Sequence, residues 1–150
     1  MFRPVSLLFS LLVFASTMGF AADGLVAVKS GASVKETMDR FEANAKQKGL
    51  FVFARVDHAA GAAKVGKTLR PTEVLIFGNP QGGTPLMECS QTMGIDLPLK
   101  ALAWQDEKGQ VWLGYNDPAF LAARHGAVEC AAIGGLGKAL TGLVEASVAR

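Results

Sequence analysis

The sequence predicts an α+β fold, a two-layer sandwich with helices packed on an antiparallel sheet in the order β-α-β(4)-α, with short extra helices in the loops. Three observations carry this. A capped amphipathic helix pattern follows the first β-prone run, four short β-prone runs follow it between turn signals, and a second amphipathic helix closes the chain. Two helical stripes and one mainly apolar sheet face bury each other in two layers.

The elements follow in order. Gly24 to Lys29 (GLVAVK) reads as a first strand. Ser33 and Glu36 form a capping box, and Val34, Met38, Phe41 and Ala45 recur at helical spacing, which draws one apolar stripe. Lys46 and Lys48 suit the negative end of that helix, and Gly49 stops it. Leu50 to Val56 (LFVFARV) is apolar on both faces until Arg55, the pattern of a central strand. Asp57 caps a short helix through Val65, and Arg70-Pro71 leads into a strand from Glu73 to Phe77.

Residues 79–83 (NPQGG) read as a loop, and Thr84-Pro85 as a cap and first helical position for two turns from Leu86 to Met93. Pro98 to Gln105 and Gln110 to Tyr115 are strands joined as a hairpin through the turn at Asp106 to Gly109. Asn116-Asp117-Pro118 repeats the cap-then-proline signal for a short helix through His125. Ile133, Leu136, Leu140, Leu143 and Val144 mark the terminal helix. Its four interior glycines each cost about 1 kcal/mol relative to alanine, so close packing on the sheet is the expected compensation.

Half of the 150 residues are apolar and the formal charge is +2. Such a chain buries a core, lacks the composition of a disordered segment and has no basic face for nucleic acid. Part of the apolar excess belongs to the N-terminus, where Arg3 precedes an apolar run from Val5 to Phe14 and then small residues. That is the pattern of a secretory signal peptide, residues 1–21, with Gly19 and Ala21 as the small residues before cleavage; a retained anchor is the alternative. The run is short of the roughly 20 residues that span a bilayer, so no stable membrane insertion is expected after cleavage. Residues 22–150 then form one domain of 129 residues, about 47% apolar with net charge +1, and periplasmic or secreted. In an oxidising compartment Cys89 and Cys130 have two readings, a disulfide or two buried thiols.

The run from Asp57 to His125 contains FGNP, GTPLM, DLPLK, YNDP and RHG. Together these phrases resemble the family called domain of unknown function 302, from about Leu25 to the C-terminus. The resemblance implies a fold like one TATA-binding-protein repeat and a homodimer, and brings no established reaction or cofactor. The export signal and the two cysteines depart from the plain family pattern.

Polar residues gather at element ends, where sites are built. His58 and Asp96 are the candidate acid–base pair, provided that the sheet brings their loops together. Asn79, Gly83, Thr84 and Asn116 are the candidate ligand contacts, with Gly83 and Thr84 offering backbone N–H groups to an anion ahead of a helix. The competing structural roles are turns and caps for Asn79, Thr84 and Asn116, and a helix C-terminal cap for His125. Met87, Cys89 and Met93 are soft-metal ligand types, but Met87 and Cys89 point apart on a helix, so neither a metal nor another cofactor is assigned. The leading expectation is an exported, dimeric binding or accessory module with a polar pocket for a small, anionic ligand. The alternatives are a small enzyme using His58 with Asp96, and an envelope interaction protein without a small-molecule site.

Overall fold

The computed structural model describes residues 22–149, so the segment read as a signal peptide lies outside the described residues. Five strands, β1 (Leu25–Ser30), β2 (Phe51–Asp57), β3 (Thr72–Gly78), β4 (Leu99–Gln105) and β5 (Val111–Asn116), form one antiparallel sheet in the order β1-β5-β4-β3-β2. Helices α1 (Val34–Gln47) and α5 (Ala132–Val148) cover one face, and α2 (His58–Lys64), α3 (Pro80–Cys89) and α4 (Pro118–Arg124) lie in the connections. The α+β sandwich in the order β-α-β(4)-α is therefore the fold.

Strand alternation sends Leu75, Phe77, Ala101, Ala103, Leu113 and Tyr115 to the helical side, where all are buried. Met38, Phe41 and Ala45 meet them from α1, as the helical spacing requires, and Leu140, Leu143 and Val144 from α5. Phe41 meets Phe77 edge to face with ring centroids 5.1 Å apart. Both halves of the Ser33–Glu36 capping box form. Where polar groups enter this layer they pair: Ser30 and Thr37 share a hydrogen bond of 2.7 Å, and Asn44 Nδ2 donates to Ser147 Oγ at 3.1 Å.

Three expectations about elements are corrected. First, β2 is an edge strand. Its apolar residues on both faces do not mark a centre, because Phe51 is 59% exposed and Phe53 58% exposed; a register shift between Val52 and Ala54 leaves Phe53 out of the ladder. Second, residues 79–83 are not a loop. Asn79 is the cap, its Oδ1 accepting from Gly82 N at 2.7 Å, and Pro80 opens α3, so Thr84 and Pro85 lie inside the helix. Two cap-proline signals stand five residues apart, and the first one wins. The helix ends at Cys89, and a 3-10 helix, Gln91–Ile95, completes the segment.

Third, the glycines of α5 are not there for close packing. A methyl group added at Gly134, Gly135, Gly137 or Gly142 would meet nothing within 4 Å. Close approach does occur at Gly114 in β5, where a side chain would collide with the Val26 carbonyl and crowd the Trp104 ring.

The other sheet face carries no comparable core. Ala54, Val56, Val74, Ile76, Leu102, Trp104 and Trp112 alternate away from the helices, and none belongs to a buried cluster. Trp104 and Trp112 stack at 6.4 Å, with Lys29 Nζ 5.5 Å from the Trp112 ring.

Candidate functional site

A cleft of about 490 Å³ opens at the end of the sheet where β3 leaves and β4 enters, walled by α3 and α5. Its position follows from two packing units that meet there. Phe77, Leu140 and Leu143 belong to the sheet-and-helix core, while Leu86 belongs to a second buried cluster with Met93, Leu121, Ala127 and Cys130. Leu136 packs against both clusters and lines the cleft between them.

The second cluster is cross-linked. Cys89 at the end of α3 and Cys130 before α5 form a disulfide, with Cα atoms 5.8 Å apart. This settles the open choice between a bridge and two thiols. Asp96 anchors the same unit: its carboxylate lies 2.6 Å from His125 Nε2 and accepts from Arg124 NH1 at 3.0 Å. Thr92 Oγ1 sits 3.0 Å from His125 Nδ1, and Ser90 Oγ 3.1 Å from Thr92 Oγ1. With the ring proton on Nε2, His125 donates to the carboxylate and accepts from the Thr92 hydroxyl, which sets tautomer and ring orientation together. The side chains of His125 and Asp96 are 7% and 14% exposed.

The candidate residues separate accordingly. Asn79, Gly83 and Thr84 line the cleft, whereas Asn116 is not among its lining residues. His58 and Asp96 are not a pair. Asp57 aligns with Glu73 and hence with Ala103 across β2, β3 and β4, while Phe77 aligns with Leu99, just after Asp96. His58 therefore starts α2 at one end of the sheet and Asp96 stands at the other. The imidazole that reaches Asp96 is that of His125, read from sequence as a helix cap; the phrase ARHG offered no sign of its long-range partner.

The anion cradle at Gly83 and Thr84 is likewise overturned. Gly83 N donates to Asn79 O at 3.0 Å, and Thr84 lies within the helix instead of capping it. The expected polar character of the pocket fails too. Leu97, Leu99, Leu136, Leu140, Phe77 and Met87 make its walls, and Lys48 is the one charged residue that lines it.

Several carboxyls are held below their ordinary range by structural donors. Lys35 and then Arg55 do so for Asp39, Lys46 and then Arg55 for Glu42, and Ser33 for Glu36. At the β4–β5 turn the Trp112 indole N–H, 2.8 Å from Asp106 Oδ2, lowers Asp106 most. All four sit at a helix surface or a hairpin turn, where the charge pairs or caps the backbone. Among the described residues no group of three or more His, Cys, Asp or Glu could hold a metal ion.

Residues 26–146 match the model of the family described as domain of unknown function, DUF302. The chain belongs to this family. A DUF302 protein of known crystal structure, an uncharacterized conserved protein from Bacillus stearothermophilus, has the same fold, with a TM-score of 0.76 and 21% sequence identity over 84% of this chain and 99% of that one. Over 102 residues, 68% of its length, the chain is also 59% identical to a protein of Brucella suis biovar 1 named fluoride-specific ion channel FluC 1. A protein of Brucella abortus biovar 1 with the same name matches equally well. The matched residues are only 40% and 38% of those two proteins.

Proposed function

We propose that this chain is an exported binding or accessory module of the DUF302 family, dimeric, with the cleft between α3 and α5 as its ligand site. The cleft carries the reading: at about 490 Å³ it falls within the roughly 300–1,000 Å³ of pockets that enclose small molecules. Concave apolar walls with a few polar groups at the rim are the usual makeup of such sites. A binding role fits this arrangement better than catalysis, because Asp96 and His125 satisfy one another away from the cleft lining.

The Brucella relatives support the accessory half of the reading. Conducting an ion requires a structure that spans the bilayer. Among the described residues no helix is long and apolar enough to cross a membrane, and the sheet is open, with β1 and β2 at its edges. The 102 matched residues are 40% of the Brucella suis protein, so what this chain shares is the smaller part of a protein named as an ion channel. On this reading the chain is a folded unit that accompanies a membrane protein, exported by a signal peptide cleaved after Ala21 to a periplasmic or secreted location. Pairing of two copies through the uncovered sheet face would shield Val74, Ile76, Leu102 and Trp104 and leave the cleft free on the opposite side.

Native mass spectrometry of chain purified without detergent tests the ligand site. One small molecule per chain is expected, lost in Gly83→Leu, whose added side chain would grow toward Leu97 into the cleft. A molecule retained in that variant moves the site elsewhere, and a chain that takes up no small molecule at all removes the reading.

A further inference from the structure

We infer that the cleft takes a single-chain amphiphile, an apolar tail held between α3, α5 and the sheet with an anionic head at Lys48. This rests on the reading of the cleft as a ligand site and specifies what enters it. The interior decides the tail. Phe77, Leu97, Leu136, Leu140 and Met87 present carbon and one thioether, so a polar ligand body would leave water and find no partner. Besides Lys48, the only polar side chains on the lining are those of Asn79 and the exposed Thr84. Met87 adds a flexible, polarizable surface that adapts to an unbranched chain.

The rim decides the head. Lys48, exposed at the end of α1, is the one charged residue on the lining, and no carboxylate accompanies it. The first turn of α3 lies along the same cleft, but Asn79 already holds Gly82 N and Gly83 N, so Lys48 is left as the partner for a head. The Lys48 charge favours a carboxylate, sulfate or phosphate head and opposes an ammonium. Asn79 cannot reverse that sign, since its carbonyl oxygen is already taken by Gly82 N.

Two probes with one tail and opposite heads separate the parts of the inference. Dodecanoate and dodecyltrimethylammonium, each below its micelle concentration, are titrated calorimetrically into delipidated chain. Dodecanoate is expected to bind and the trimethylammonium compound to bind roughly fivefold more weakly, as partly exposed charge contacts contribute in other proteins. The Lys48→Glu variant is expected to reverse the order, and 1 M salt to shrink the difference in the unsubstituted chain. Gly83→Leu is expected to abolish binding of both, with circular dichroism checking its fold. Ala139→Leu, at an exposed cleft position of α5, serves the same purpose if the first variant does not fold.

If neither probe binds, the amphiphile is wrong, and the ligand-site reading falls with it only when native mass spectrometry also finds no small molecule. If both bind equally, or the cation binds better, the cleft stands as a site and the anionic head is wrong. An unchanged preference in Lys48→Glu removes Lys48 as its partner, and binding that survives in a folded cleft-filling variant puts the tail elsewhere.

Discussion

The two buried clusters are held by different means. Between the sheet and α1 and α5, wholly buried side chains such as Phe41, Phe77, Leu75 and Leu113 interlock. Around α3, the 3-10 helix and α4, only five buried residues cluster, and covalent and ionic ties supplement them: the Cys89–Cys130 bridge and the Asp96 carboxylate between His125 and Arg124. A small cluster has little apolar area with which to offset the entropy of ordering its segment, so cross-links substitute for burial. The cleft lies along the seam, with one wall from each kind of unit. A ligand there would meet a rigid floor and a wall whose position depends on a few ties.

The largest expected effect breaks the first unit. Phe41→Ala should cost about 3–5 kcal/mol, a large part of the stability of a domain this size, and thermal melting should report it as loss of the whole fold. A smaller and local effect is expected in the second unit. Replacing Cys89 and Cys130 together by Ser should cost about 2–4 kcal/mol. Hydrogen exchange should then show lost protection in α3 and before α5 with the sheet amides still protected. Equal loss in both regions would mean that the two clusters fold as one.

His125→Ala should cost about 1–3 kcal/mol by stripping Asp96 of its shorter contact while Arg124 stays. Its exchange signature should stay within the 3-10 helix and α4. The smallest effect has the opposite sign. Gly142→Ala adds a methyl group to open space in α5 and should raise stability by about 0.5–1 kcal/mol. A fall instead would show that α5 is covered there in solution, for instance by a second copy.

Local signals were legible where the chain itself closes the interaction. The capping box at Ser33 and Glu36, the Asp57 and Asp117 caps and the turn at Asp106 to Gly109 depend on residues within a few positions, and each forms. Errors arose where distant chain decides. Phe51 and Phe53 look like the middle of a sheet because sequence does not record that β2 is an edge strand among the described residues. Asn79-Pro80 and Thr84-Pro85 carry equivalent signals, and only the path of β3 into α3 selects the first. For the site, Asn79, Gly83 and Thr84 read as polar contacts, yet they rim an apolar cleft, because its walls come from Leu and Phe residues that read as ordinary core. Either histidine could have met Asp96 as far as composition goes; strand register excluded His58 and a turn of backbone delivered His125.

The strand order also imposes a timetable. β1, the first strand among the described residues, pairs there only with β5, Leu25 facing Asn116 and Ser30 facing Val111. Its edge stays without a partner until the second strand of the β4–β5 hairpin has been made. Such distant pairing slows folding relative to local pairing. Were the chain exported as proposed above, that delay would be useful: the strand could not lock into the sheet while most of the domain was still being made.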